Sequence, residues 1–130
     1  MIRPSLNASL SLLQALTQYI DRGSANASFI FYDDAKPTGT SVPANDSAKL
    51  VTLTLAKPCF KQVYVDHIEL MPTEESTVIK TGTALWARLY NGEGYVVADF
   101  DCVANMNLNT RDLVLGGSFK LDSIIFRPST

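Results

Sequence analysis

The alternation of apolar and polar positions is clearest over residues 83–101, where two patterned runs flank Asn91-Gly92-Glu93-Gly94. Asn and Gly tolerate the positive φ of a tight reversal, so the pattern predicts a β-hairpin. Folded about that turn, Tyr90 stands opposite Tyr95, Leu89 opposite Val96, Ala87 opposite Ala98 and Leu85 opposite Phe100. Side chains alternate across a strand. One face therefore collects Leu85, Ala87, Leu89, Val96, Ala98 and Phe100 and belongs against a core. The other collects Trp86, Arg88, Tyr90, Tyr95, Val97 and Asp99 and is expected to turn outward.

A different period governs the N-terminus. Leu6, Leu10, Leu13, Leu16 and Ile20 recur at helical spacing behind Ser5, a suitable N-cap, and Gly23 supplies a stop. The spacing predicts one helix over 5–21. Its other face carries Asn, Ser, Thr and Gln but no charge between Arg3 and Asp21. A solvated helix normally shows Lys and Glu there, so contact with another subunit is expected through Leu6, Leu10 and Leu13.

The rest alternates short strand signals with turn residues. Strands are expected at Ser28–Tyr32, 50–55, 62–71, 77–80, 105–109, 113–115 and 118–126, with a long polar loop over 33–48. An imperfect alternation within 62–71 suggests a bulge. Seven or eight short strands without intervening helices predict a mainly β chain: an antiparallel β-sandwich of jelly-roll type with one N-terminal α-helix. No internal repeat or low-complexity linker divides it, so 1–130 reads as a single domain, with the sandwich over 28–127.

Composition narrows the function classes. The charged share of 18% is below the usual quarter and fits a surface partly covered by partners. A net charge of −2 with 11 scattered Lys and Arg provides no basic field, so no nucleic-acid partner is expected. No run is long and apolar enough for a membrane span, and polar residues interrupt Leu6–Ile20, which argues against a signal peptide. Cys59 and Cys102 are either free buried thiols or a disulfide, and spacing does not decide between them. Triplets at Asn7, Asn26 and Asn45 match the glycosylation pattern, which matters only in a eukaryotic secretory setting.

Reactive groupings are sparse. His67 is the single histidine, and on a strand Asp66 would point to the opposite face, so no triad is expected. His67 and Glu69 share a face, but the cysteines form no CxxC pair and no calcium-loop spacing occurs. Asp99 and Asp101 also share a face; Asp99 is expected diagonal to Arg88 as an exposed pair. Neither catalysis, a cofactor nor a metal is expected. The hairpin's outward aromatics have three possible fates: covered by the chain's own loop or helix, buried in a subunit contact, or stacked on sugar rings.

Read in order, the segments FYDDAKPTG (31–39), LVTLTLAKPCF (50–60), TGTALWARLYNGEG (81–94), ANMNLNT (104–110) and LVLGGSFKLDSIIF (113–126) form a recognisable series. It resembles a family of small structural proteins from tailed-bacteriophage and prophage virions. The resemblance covers about four-fifths of the chain, and its most specific part is Thr81-Gly82-Thr83-Ala84 with Trp86 and Arg88, followed by Asn107-Leu108-Asn109-Thr110 and Gly116-Gly117. The chain departs from it in the Asp33-Asp34 pair, in its two cysteines and in the more hydrophobic and acidic stretch 62–75. The resemblance implies a non-enzymatic virion component made in the bacterial cytoplasm, decorating the capsid or associated with the tail. It implies partners among other virion proteins and copies of itself, and no catalytic residue to carry over. A carbohydrate-binding module on a phage tail or host enzyme is the alternative. The expected interface residues are thus Trp86, Arg88, Tyr90, Tyr95, Leu6, Leu10 and Leu13.

Overall fold

In a computed structural model, which describes residues 4–103, 106, 108 and 110–128, the N-terminal pattern becomes helix α1, Leu6–Ile20. The Ser5 hydroxyl accepts from the Ala8 amide, and the Asp21 amide closes the last turn on the Thr17 and Tyr19 carbonyls. Gly23 then takes a φ of 107°, a left-handed value that ends the helix without a side-chain penalty. The period of α1 puts Leu10, Thr17 and Ile20 in the interior.

The remainder is mainly β, in antiparallel sheets. In chain order the strands are β1 (Ser28–Tyr32), β2 (Lys49–Thr54), β3 (Phe60–Val63), β4 (Ile68–Leu70), β5 (Ser76–Thr77), β6 (Gly82–Thr83), β7 (Trp86–Tyr90), β8 (Val96–Asp101), β9 (Asp112–Leu113), β10 (Ser118–Phe119) and β11 (Ile124–Phe126). The largest sheet has the order β2-β1-β7-β8, a second is β11-β4-β3, and two short pairs are β10-β5 and β6-β9. One apolar core joins Phe29 and Phe31 of β1 and Leu50, Val51 and Leu53 of β2 to Ile68 and Leu70 of β4. Aromatic contacts extend it: Phe29 meets Phe100 at 5.3 Å between ring centroids, and Phe100 stacks on Phe126 at 5.6 Å.

Several predicted strands divide. The stretch 62–71 is a hairpin of β3 and β4, and its broken alternation is the turn between them, closed by the Tyr64 amide on the His67 carbonyl at 2.8 Å. The stretch 118–126 is likewise interrupted between β10 and β11. Expected strand 77–80 is replaced by β5 and β6 on either side of a connection, and 113–115 contributes only β9. The expected strand 105–109 lies outside the described residues, apart from Met106 and Leu108, which pack against the core.

The central hairpin forms, with a different register. Leu89 faces Ala98, Ala87 faces Phe100 and Arg88 faces Asp99, each two residues further along β8 than the four-residue turn implied. The cause is Asn91. Its amide donates to the Tyr95 carbonyl at 2.9 Å, and its side-chain oxygen accepts from the Glu93 and Tyr95 amides at 3.0 Å. That leaves a three-residue loop with Gly94 at φ 88°, one residue shorter than expected. A bulge between Tyr90 and Leu89 supplies the second residue of the shift. Two single steps restore parity beyond the bulge, so Trp86, Arg88 and Asp99 keep their expected face. At the bulge the faces exchange: Val96 pairs with Tyr90, and Val97 packs on the core. Leu85 precedes β7 and is 39% exposed instead of buried.

Candidate functional site

The face of β7 opposite the core is covered by the chain's own loop. Tyr32 at the end of β1 stacks on Trp86, with centroids 4.5 Å apart and planes 17° from parallel. Ala48 shares their cluster, and Ile30 and Ala44 pack against it. The Trp86 indole N–H donates to Asp34 Oδ1 at 2.8 Å. The loop over 33–48 is closed at its base by the Asp33 amide on the Ala48 carbonyl at 3.0 Å, and Lys80 pairs with Asp33 at 2.8 Å.

Arg88 fastens the same loop at its middle. Its Nε and Nη2 donate to the two Asp99 oxygens at 2.6 and 3.0 Å, and Nη1 donates to the Val42 carbonyl at 2.8 Å. Arg88 is 2% exposed and Trp86 0%, so neither reaches the surface of this chain. The expected exposed Arg88–Asp99 pair is instead buried and directly cross-strand, because the register shift brings the two residues opposite each other. Bonding to Asp99 raises the Arg88 pKa above its usual value against the effect of burial, which holds the guanidinium charged. Burial, followed by a hydrogen bond with Tyr90, raises the Tyr32 phenol. Chemically, this constellation holds a loop: the strong donors of Trp86 and Arg88 point at protein acceptors.

Of the hairpin residues proposed for contact, Tyr95 alone is well exposed, at 63%, and Tyr90 is half-buried. A sugar-stacking platform built on Trp86 is therefore closed in this structure. The three leucines of α1 also separate. Leu10 is buried, Leu13 is partly buried against the core, and Leu6 is exposed. The open face of α1 consists instead of Asn7, Ala8, Ser11, Leu12, Ala15 and Gln18, with Leu12 62% exposed and no charged side chain among them, while Leu6 is exposed at the start of the core-facing stripe.

Two other surfaces lie away from the loop-covered face of the hairpin. The β3–β4 turn exposes Val63, Tyr64 and Val65. Behind them His67 stacks on Tyr64 at 4.6 Å, and its Nδ1 lies 2.7 Å from Asp66 Oδ1. The two residues bond because they occupy a turn, where the opposed faces of a strand no longer apply. The bond to His67 draws the Asp66 carboxyl below its ordinary range. Among the described residues no nucleophile is hydrogen-bonded to His67, and no three His, Cys, Asp or Glu side chains gather to hold a metal ion. No helix among them is long and apolar enough to cross a membrane. Cys59 and Cys102 are both buried and unpaired.

The second surface is a groove of about 820 Å³ lined by Leu13 and Leu16 of α1, Phe100 of β8 and Phe126 of β11. Nothing in the linear pattern announces it, since it arises where two sheets end side by side. Asp34 was equally hidden: its partner Trp86 lies 52 positions away. Asn91 had a signal, because Asn before Gly-x-Gly commonly organises a turn through its side chain.

The chain matches no family model, no curated protein and no solved structure.

Proposed function

We propose that this protein is a non-enzymatic structural subunit of a bacteriophage virion, decorating the capsid or associated with the tail, and that it works through contacts with its own copies and with other virion proteins. The observation that carries the reading is the open face of α1. Asn7, Ala8, Ser11, Leu12, Ala15 and Gln18 present about three turns of uncharged surface to solvent, with Leu12 62% exposed at its margin. Helices that end in water place charge there. Small residues at Ala8, Ser11 and Ala15 permit close approach of another backbone, and Leu12 supplies apolar area to bury. The ordered series of segments from 31–39 to 113–126 supports the virion assignment. A jelly-roll sandwich, with its two larger sheets as the layers, is the architecture we propose for this mainly β chain.

Light scattering on the purified chain tests the self-contact. A mass above the 14.2 kDa of one chain, returning to that value in Leu12→Glu, is the expected result. A 14.2 kDa species at all concentrations, together with absence of the chain from purified particles, would refute the reading.

A further inference from the structure

We propose that Asn91-Gly92 is a self-modification site silenced by the fold: the unfolded chain deamidates there spontaneously, and the isoaspartate it forms can no longer fold. The pair itself is the first observation. Of the seven asparagines, only Asn91 precedes glycine. A Cβ on the following residue shields that residue's backbone nitrogen, and glycine has none. In a free chain the Gly92 nitrogen gives its proton to a base and attacks Asn91 Cγ. The new N–C bond closes a five-membered imide as the side-chain nitrogen takes up a proton and leaves as ammonia. Water then opens the ring at either carbonyl. One opening restores the original main chain with an aspartate; the other routes the main chain through the former side chain, as isoaspartate. One water is consumed and one ammonia released, with no oxidant or cofactor involved.

The folded chain obstructs these steps. The Asn91 amide donates to the Tyr95 carbonyl at 2.9 Å, and the Asn91 carbonyl accepts from the Gly94 amide at 3.0 Å. Oδ1 accepts from the Glu93 and Tyr95 amides at 3.0 Å. These bonds hold the main-chain and carboxamide torsions about which the imide ring must close. Gly92 has no freedom to adjust. A Cβ on it would lie 2.1 Å from the Ala25 carbonyl oxygen and 2.6 Å from that of Arg22, so its backbone is wedged against the exit of α1. Asn91 is 3% exposed, which keeps out the base and the water that the reaction needs.

The two products differ in what they leave of the turn. An aspartate keeps an oxygen where Oδ1 stands, so the Glu93 and Tyr95 amides retain their acceptor. Nδ2 has no partner among the described residues, so its replacement by oxygen breaks no bond. Isoaspartate instead adds a carbon to the main chain of a tight loop and draws the former Cγ carbonyl into the backbone, away from both amides. The longer backbone must also fit where a single methyl group has no room. A chain that delays folding thereby removes itself from the foldable pool.

The inference is independent of the virion reading, and the full chain tests it. Native protein and protein held in urea are aged side by side in mildly alkaline buffer, mapped by peptide mass spectrometry and then refolded by dilution. Position 91 should deamidate in urea and at least about tenfold more slowly in native protein, the factor set by a local opening of about 1.4 kcal/mol. The urea-aged sample should divide on refolding. Unreacted chain and the aspartate product should appear in the folded fraction. Isoaspartate, labelled by an isoaspartyl methyltransferase, should stay in the unfolded one. Asn91→Ser, whose hydroxyl still offers the turn an acceptor, should refold as fully after ageing as before.

Equal rates in native and urea-held protein would overturn the proposal, as would absence of the reaction in urea. So would aspartate and isoaspartate partitioning alike between the two fractions, because the turn would then not discriminate between them. An ageing loss in Asn91→Ser as large as in the wild type would place the damage elsewhere and overturn it too. Should Asn91→Ser not fold, the partition in the wild-type chain decides alone.

Discussion

Two surfaces of this protein lie opposite core-facing residues and meet opposite fates. The outer face of β7 carries Arg88, with Asp99 beside it on β8, whereas the outer face of α1 carries no charge at all. Over β7, the loop 33–48 descends and is bonded to Trp86 and Arg88. Among the described residues no segment descends over α1, and Leu12 remains 62% exposed. The difference lies in directed polar anchors. Trp86 and Arg88 carry donors that need acceptors once buried, and Asp34, Asp99 and the Val42 carbonyl provide them. The face of α1 offers methyl groups and short polar side chains, which give a loop little to hold. An amphipathic period marks which side is core; the fate of the other side depends on whether a distant segment carries matching bonds.

The sharpest break of this comparison is Arg88→Ala. It leaves Asp99 buried without its counter-charge and cuts the Val42 attachment. Loss of one member of a buried pair costs about 3–5 kcal/mol. Leu89→Ala on the core side of the same strand should cost about 2–5 kcal/mol. Urea unfolding of the two variants should therefore give similar midpoints. An Arg88→Ala midpoint close to wild type would mean that the loop does not seal this face in solution.

A smaller effect isolates the other anchor. Asp34→Ala leaves the Trp86 indole N–H without its acceptor, at a cost of about 1–3 kcal/mol, and frees the first turn of the loop. Tryptophan fluorescence should shift to longer wavelength as water reaches the indole, which no change on α1 should cause.

The thiols give a weaker handle of definite sign. Burial first, then Asp21, pushes Cys59 up to about 12, and burial with Asp101 does the same for Cys102. The folded chain thus keeps protons that the unfolded chain releases near 9. Their contribution is intact below about 9 and declines as pH rises toward about 12. Unfolding midpoints should fall over that window. Native protein should react slowly with a thiol reagent at pH 8, and denatured protein quickly.

How much of this was legible depends on the range of the forces involved. The helix was readable to its caps, because Ser5 and Gly23 act on amides within one turn. The hairpin's place was readable for the same reason. Its register was not, because Asn91 replaced a four-residue turn with three, and the bulge near Tyr90 added a second step that sequence alternation does not mark. The division of 62–71 was missed because Asp66 and His67 satisfy a strand pattern and a turn equally until their own 2.7 Å contact is known. The cover over Trp86 depended on contacts spanning tens of residues, and the groove depended on where two sheets stop. Local chemistry was visible, and long-range closure was not.

The smallest effect on folding should come from Tyr95→Ala, and it tests what remains of the hairpin as a contact. Tyr95 is 63% exposed, and the turn beneath it is held by its own backbone: its amide bonds to Asn91 Oδ1 and its carbonyl accepts from the Asn91 amide. Truncating the ring leaves both bonds in place, so stability should change by no more than about 0.5 kcal/mol. If the ring sits in a subunit contact, assembly should weaken by about 1–4 kcal/mol with folding unmoved. Leu12→Glu should act in the same direction from α1. A double variant then separates the two surfaces. Additive losses in assembly would place Tyr95 and Leu12 in different contacts, whereas a loss no larger than either alone would place them in one.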